Sequence, residues 1–350
     1  MTVAVSPAAD WLQPQPLDTA YTLPAQCYVD EALAARERDA VFARSWQLVG
    51  FAAPLGRPGD HALAEIAGVP IVVVRGDDGV LRALHNVCRH RAGPVVTCDG
   101  RARTLTCKYH GWTYALDGRL LGAPDMGRVR DFDVAGVSLP QAQVAEWGGL
   151  VFAALAPQSA PFAALIEGIE APPTLVFERR VVYDVACNWK VYVDNYLEGY
   201  HLAQVHPGLN AMLTSAAYET RLGAHWVLQT SPLAGTDDVY GPGTARYVWL
   251  WPNTMLNLLP ARLQTNRVLP LDAQRCRVVF DYYYAPQAAA EFRAADMAFS
   301  DEVQREDIAI CEAVQRGLAC GSYVAGRLNP CHEQGVWLFH ELLRAAYRSG

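Results

Sequence analysis

At 350 residues and 38.3 kDa, with 51% hydrophobic and 19% charged residues, the chain suits about two domains with sizeable cores. Its net charge of −7 is spread without long runs, which argues against nucleic acid or an anionic membrane as a partner. The start, MTVAVSPAADWLQPQP, lacks a basic region and an apolar core, and apolar runs such as Val69–Val74 and Gly149–Leu155 are too short to span a bilayer, so a cytoplasmic protein without a signal peptide is expected.

Taken in chain order, residues 1 to about 27 are rich in Pro and Ala and read as an irregular arm. Asp30 can cap a helix running to about Arg44, closing an N-terminal segment over 1–45. Short strands follow over 46–157. Val69–Arg75 is a β-branched run, Gly76-Asp77-Asp78-Gly79 a turn, and Val80–Val87 its partner strand. Trp112–Leu116 and Arg119–Gly122, joined by Asp117-Gly118, read as a second hairpin. Pro157–Pro173 looks like a linker with a short helix, and a second domain occupies 158–350. It opens with a strand over Phe177–Cys187 and a helical stretch from about Trp189 to Val205 that Pro207 ends. Strands Ala245–Trp251, Met255–Leu259, Arg262–Pro270 and Arg275–Tyr284 come next, then a helix from Ser300 to Gly317. The fold class is therefore α+β: a small all-β domain, then an antiparallel sheet covered by helices.

Nine cysteines are scattered without a secreted framework, so a close Cys/His cluster is better read as a metal site than as disulfides. Cys88-Arg-His90 and Cys107-Lys-Tyr-His110 form such a cluster, with sixteen residues between His90 and Cys107. Two thiolates for one iron and two imidazoles for the other are the ligands of a Rieske [2Fe–2S] cluster. Gly93 and Gly111 permit the tight turns. A zinc staple is the alternative; the Cys-x-His spacing of the first pair disfavours it. His85 is expected to be a half-buried strand residue.

His201 and His206 form a second constellation. Two histidines and a carboxylate with open positions describe a non-haem Fe(II) site that activates O2. Five residues apart, the two would point about 140° from each other on an ideal helix, so the helix must bulge or unwind between them. On the later helix, Val303, Asp307, Ile310, Val314 and Leu318 share a face, and an ionised acid in an apolar stripe is costly unless paired or metal-bound. Asp307 is therefore the expected third ligand, with Glu306 and Glu312 on a solvated face. Tyr247, Trp249 and Trp251 alternate onto one strand face, as do Phe280, Tyr282 and Tyr284 on another. They read as sheet core or as an aromatic substrate pocket, in which Tyr247, Trp249, Trp251, Tyr282 and Tyr284 would bind an aromatic ring or a quaternary ammonium.

The segments Asn86–Arg91 and Cys107–Tyr114 closely resemble the Rieske domains of bacterial ring-hydroxylating oxygenase α subunits. Rieske proteins of respiratory cytochrome bc complexes carry a further disulfide, whose positions fall near Gly93 and Tyr109 here, so the resemblance favours the oxygenase type. Glu306–Glu312 is similar to the family segment bearing the iron carboxylate, and the resemblance runs from about Tyr28 to Phe339. It implies a helix-grip catalytic domain of the START/Bet v1 kind, with His201, His206 and Asp307 as iron ligands. It maps onto Glu198 the acid that bridges a Rieske histidine of the neighbouring subunit and an iron-ligating histidine, with Asp194 a weaker relay candidate. Such a bridge requires head-to-tail assembly, a homotrimer by resemblance. Electrons from NAD(P)H would arrive through a separate flavin/iron–sulfur reductase, with or without a ferredoxin, since no glycine-rich nucleotide fingerprint follows a strand. The segment from Asn188 to Pro207 looks like the choline, glycine betaine and carnitine monooxygenase branch, which implies hydroxylation or N-dealkylation of a quaternary ammonium. Aromatic-ring dioxygenation is the alternative, and a Rieske electron carrier without oxygenase activity a remote one.

Overall fold

The computed structural model describes residues 11–155, 159–214, 217–235 and 239–349; the first ten residues of the expected arm and the expected boundary at 157/158 lie outside them. The chain divides into two compact units, Phe42–Phe162 and the remainder, comprising residues up to Val41 and from Ala163 on.

The first helix, α1 (Glu31–Ala40), starts where Asp30 accepts hydrogen bonds from the backbone of Ala32 and Leu33. It ends four residues before the expected Arg44, and Phe42–Arg44 tightens into a 3-10 turn.

The middle unit contains β1 (Gln47–Phe51), β2 (Asp60–Ile66), β3 (Val69–Arg75), β4 (Leu81–His85), β5 (Gly100–Arg101), β6 (Leu105–Thr106), β7 (Thr113–Tyr114), β8 (Leu120–Gly122), β9 (Gln141–Trp147) and β10 (Leu150–Ala154). A seven-stranded sheet has the order β1-β10-β9-β4-β3-β2-β5, and β6-β7-β8 form a small sheet beside it. The β-branched run of β3 is explained by burial on both faces. Val72 and Val74 pack with Cys88, Cys107, Trp112 and Tyr114, whereas Ile71 and Val73 pack with Val49, Val151 and Ala153.

After a short helix α2 (Phe162–Leu165), the second unit is built on the sheet β11-β17-β16-β15-β14-β13-β12. Its strands are β11 (Val176–Val185), β12 (Glu219–Leu222), β13 (Trp226–Pro232), β14 (Thr244–Leu250), β15 (Thr254–Leu259), β16 (Arg262–Asp272) and β17 (Arg275–Tyr284), all antiparallel. The sequence reading found five of these seven and passed over β12 and β13. The expected helix at Trp189–Val205 is three pieces, α3 (Trp189–Tyr196), α4 (Leu202–Val205) and α5 (Pro207–Met212). Helix α4 does end at Val205, as expected, and Pro207 lies just beyond its last residues. Pro207 opens α5 at the first helical position, where its missing N–H would have no intrahelical acceptor. The long helix α6 spans Ala290–Ala319, ten residues more than expected at its start, and α7 (Gln334–Ser349) was not anticipated.

A buried network locks the helices together. The carboxylate of Glu37 on α1 accepts from Lys190 Nζ and Trp189 Nε1 at 2.6 Å each and from the Tyr347 hydroxyl at 2.5 Å. The described part of the arm is strapped to α7. Trp337 Nε1 donates to the Gln15 carbonyl at 2.7 Å, and the fully buried Arg344 donates to those of Trp11 and Tyr21 at 2.9 and 3.0 Å.

Candidate metal centres

The two Cys/His pairs sit on loops of the same hydrogen-bond pattern. The Cys88 N–H donates to the carbonyl of Gly93 (2.8 Å) while its own carbonyl accepts from Ala92 (3.0 Å). Cys107 repeats this five residues on with Trp112 and four residues on with Gly111, at 2.9 Å each. Gly111 adopts φ +74°, a left-handed conformation that favours glycine. Asn86 ties the first loop shut by accepting from Val95 and Val96 and donating to the Val96 carbonyl. The thiols of Cys88 and Cys107 are buried, and the rings of His90 and His110 lie 4.5 Å apart on the outer side.

This pocket fits a two-iron cluster. The Nδ1 of His90 is buried without a partner, as a ligand nitrogen facing a metal would be. A Cβ on Gly93 would come within 3.1 Å of Cys107 Sγ, so the backbone there must be bare. Burial and the neighbouring Cys88 raise the Cys107 thiol pKa in the metal-free chain; bound cations reverse that preference and deprotonate the sulfurs. Burial, with His90 and Arg91 nearby, lowers the His110 pKa and keeps that imidazole neutral, the form that ligates. The Tyr114 hydroxyl accepts from the Arg89 N–H at 2.9 Å and is thereby oriented to donate to Cys88 Sγ at 3.2 Å. His85 is half-buried on β4, as expected.

In the helical unit the break between α3 and α4 resolves the spacing problem of the two histidines. His201 sits at the N-terminal edge of α4 and His206 at the junction with α5, and their rings stand 5.1 Å apart at 72°. One ligand atom each from His201, His206 and Asp307 lie within 4.8 Å of one another. Asp307 Oδ1 is 3.0 Å from His206 Nε2 and accepts from Asn195 Nδ2 at 2.5 Å. Burial opposes charge on His206, but Asp307 and Glu306 outweigh it and raise its pKa. That excess of negative charge is what a cation would satisfy, so the donor set fits an iron ion.

The other ring nitrogens are held from behind. Glu198 contacts His201 Nδ1 and also accepts from the backbone N–H groups of Tyr200 and His201. Glu306 Oε2 is 2.7 Å from His206 Nδ1. The expected solvated face for Glu306 and Glu312 is therefore corrected: Glu306 orients a histidine, and Glu312 accepts from the Ala186 N–H at 3.1 Å. Their sequence signal was weak, because acids at an amphipathic boundary look alike whether or not a histidine lies across from them. The premise about the stripe is corrected too. Val314 is 44% exposed, and the buried face of α6 carries Asp296, Ser300, Gln304, Cys311 and Gln315.

Two hollows meet at this centre. One, of about 100 Å³, lies between α3, α6 and the sheet and is lined by Tyr196, Tyr218, Tyr247, Phe280 and Gln304 among others. The second, of about 440 Å³ and more apolar, is lined by Leu23, Ile310, Val314 and Leu328; Glu198 and His201 line both. Of the five aromatics proposed for a substrate pocket, the structure brings Tyr247 to the smaller cavity. Trp249 and Trp251 pack on Phe339, while Tyr282 bonds Ser300 and Tyr284 bonds Asp296. Asp194 lines the larger hollow with both oxygens engaged, by Tyr28 (2.7 Å) and His340 (2.9 Å).

Residues 45–133 match the family of Rieske [2Fe-2S] domains, and residues 173–349 match the catalytic domain of ring-hydroxylating alpha subunits. Over 93% of its length the chain is 32% identical to a chloroplastic choline monooxygenase of Arabidopsis thaliana, of which it covers 84%. It is 31% identical to the carnitine monooxygenase oxygenase subunit of Escherichia coli (strain K12), with 94% of both covered. A solved quaternary ammonium Rieske monooxygenase, described for carnitine oxidation and inter-subunit electron transfer, is similar with a TM-score of 0.86 and 28% identity over 95% of this chain and 99% of that one.

Proposed function

This chain belongs to the Rieske-type ring-hydroxylating oxygenase α-subunit family and is an oxidoreductase; from that premise we propose that it is the terminal oxygenase of a system that hydroxylates or N-dealkylates a quaternary ammonium compound. When bound, the [2Fe–2S] cluster and the mononuclear iron supply one-electron transfer and O2 activation. Cys88, His90, Cys107 and His110 hold the first within an electron-receiving domain at 46–157. His201, His206 and Asp307 hold the second within a catalytic domain at 158–350. The observation that carries the reading is the convergence of these last three donors, with a carboxylate on the far nitrogen of each imidazole. Glu198 and Glu306 keep the Nδ1 protons in place and leave each Nε2 free to ligate.

Glu198 borders both the smaller cavity and the larger apolar hollow. We assign it the bridge to a Rieske histidine of the neighbouring subunit in a homotrimer. Asp194, already committed to Tyr28 and His340, is left as a positioning residue. Electrons originate from NAD(P)H and enter through a separate flavin/iron–sulfur reductase, with or without a ferredoxin. We place the protein in the cytoplasm; no helix among the described residues is long and apolar enough to cross a membrane. The ammonium substrate is supported by the named activities of the relatives. The smaller cavity also suits a cation, with five Tyr and Phe rings, two carboxylates and no Lys or Arg among the described residues lining it.

The test is Glu198→Gln in the reconstituted oxygenase. Reduction of the cluster by a surrogate reductase should persist, while oxidation of the mononuclear iron's electron supply, followed by single-turnover product, slows at least a hundredfold. Normal coupled turnover in this variant, with product matched to O2 consumed, would remove the bridge. A purified protein holding zinc without iron or sulfide would sink the oxygenase reading altogether.

A further inference from the structure

We propose that Gln304 determines specificity: its side-chain amide donates a hydrogen bond to an uncharged oxygen of the substrate, so that the site prefers ammonium alcohols to oxygen-free ammonium ions and to ammonium carboxylates. This rests on the ammonium reading above and sharpens it.

Gln304 stands on α6 three residues before Asp307, one helical turn away, and lines the smaller cavity. It is 1% exposed. Its Oε1 accepts from the Tyr192 hydroxyl at 2.5 Å, and its Nε2 is buried without a partner. The orientation of the amide follows from the tyrosine. The buried Tyr192 hydroxyl needs an acceptor, and Oε1 is the one it meets, which leaves the NH2 group as the unpartnered end of a residue that lines the cavity. An unpaired buried donor is unfavourable unless something supplies its acceptor in the working state.

The oxygens of the neighbouring cross-strand amides are already engaged. Gln229, Tyr247, Asn257 and Gln264 form one cross-strand row, opposite one another on β13, β14, β15 and β16. Gln229 accepts from Tyr218 (3.0 Å) and donates to the Tyr196 carbonyl (2.9 Å). Gln264 accepts from Ser300 (3.0 Å) and Arg262 and donates to Asn266 (2.8 Å). Asn257 accepts from Tyr196 at 2.8 Å. Bound through their oxygens, these amides line the cavity with neutral groups, and Gln304 adds a buried donor that has no partner of its own.

The charge balance selects against a carboxylate. Arg262 lies behind Gln264 and is neutralised by Asp296 at 2.9 Å. A carboxylate in the cavity would lose its water for neutral donors, with the Glu198 carboxylate also lining the cavity. A hydroxyl meets neither penalty, while the ammonium end gains from the rings and the acids.

The test is calorimetric titration of the iron-loaded oxygenase with three probes: choline, propyltrimethylammonium (a methyl in place of the hydroxyl) and glycine betaine. The wild type should bind choline about five- to tenfold more tightly than either of the others. Gln304→Met preserves side-chain length and removes the donor. It should bring choline within about twofold of propyltrimethylammonium; the ratio is taken within one protein, so loss of the Tyr192 acceptor, which affects both probes alike, cancels, and Gln304→Leu replaces the Met variant should thermal unfolding show it to be unstable. Tightest binding of glycine betaine, or a choline preference that survives in the variant, overturns the role of Gln304 and leaves the ammonium reading standing. Failure of all three probes to bind the loaded wild type overturns both.

Discussion

Replacing Glu306 separates an orienting hydrogen bond from a mere nearby charge. Its Oε2 lies 2.7 Å from Nδ1 of His206, a ring only 1% exposed, while Glu306 itself is 29% exposed. A hydrogen bond to a charged acceptor contributes about 1.5–3 kcal/mol and a neutral one about 0.5–1.5 kcal/mol. Partial exposure of the carboxylate puts the difference near the low end, about 1 kcal/mol. Glu306→Gln, which keeps an acceptor, should therefore weaken iron binding at the mononuclear site roughly fivefold. Glu306→Ala leaves the buried Nδ1 donor unpaired and frees the ring to turn, for about 2–3 kcal/mol, or roughly 30- to 150-fold. The assay is chelator competition, reading iron released against acid-labile sulfide, which marks the untouched cluster. A Coulombic effect alone would make the two variants equal, because both remove one charge. Equal losses, or an Ala variant within threefold of wild type, refute the orienting role.

Three further outcomes follow from the same geometry. Tyr114→Phe removes the donor to Cys88 Sγ, and loss of a bond of about 1 kcal/mol that favours the reduced, more negative cluster should lower its potential by about 45 mV; a redox titration with an unchanged midpoint would count against it. Gly93→Ala sets a Cβ 3.1 Å from Cys107 Sγ, so cluster content measured as sulfide should fall by half or more, and full occupancy with an unaltered visible spectrum contradicts the fit. Lys190→Met strands the Glu37 carboxylate, 1% exposed, and should cost about 3–5 kcal/mol in denaturant unfolding; Lys190→Met with Glu37→Leu should recover part of that, and no recovery would mean the pair is not what the single variant breaks.

The candidate donor clusters were legible because the chemistry that would use them compresses them into short motifs. Cys88/His90 and Cys107/His110 need only two tight turns, and the strands around them carry the alternation and turn signals of β3, β4, β7 and β8. The interruption between His201 and His206 was equally forced, since one regular helix cannot aim both rings at a point. What escaped was set by tertiary contact. The polar strand β13, with Gln229 and Ser231 buried, lacks the apolar pattern of a strand because part of its inner face looks into a cavity. The helix α7 has a strong apolar face, yet its buried His340 and Arg344 obscure it until the partners Asp194, Trp11 and Tyr21 are in place.

The long helix α6 makes the general point. Apolar periodicity led to Asp307, but the stripe that led there is not the one that sets the helix. Its buried face is mostly polar, and its four oxygen- and nitrogen-bearing members each have a directional partner. Asp296 meets Arg262, Ser300 bonds Tyr282, Gln304 accepts from Tyr192, and Gln315 accepts from the Asn188 N–H and donates to the Tyr28 carbonyl. Rotating the helix by one residue, about 100°, would break all of these at about 1–3 kcal/mol for each buried group left unpaired. Apolar packing tolerates such slips far better, because its contacts have no direction. The polar stripe therefore fixes the rotation of α6, and with it the aim of Asp307 at His206 and of Gln304 at the cavity. Aiming a carboxylate at a candidate metal site with a tolerance of about 0.5 Å demands that kind of register, which explains why this helix departs from the pattern that a core-facing helix ordinarily displays.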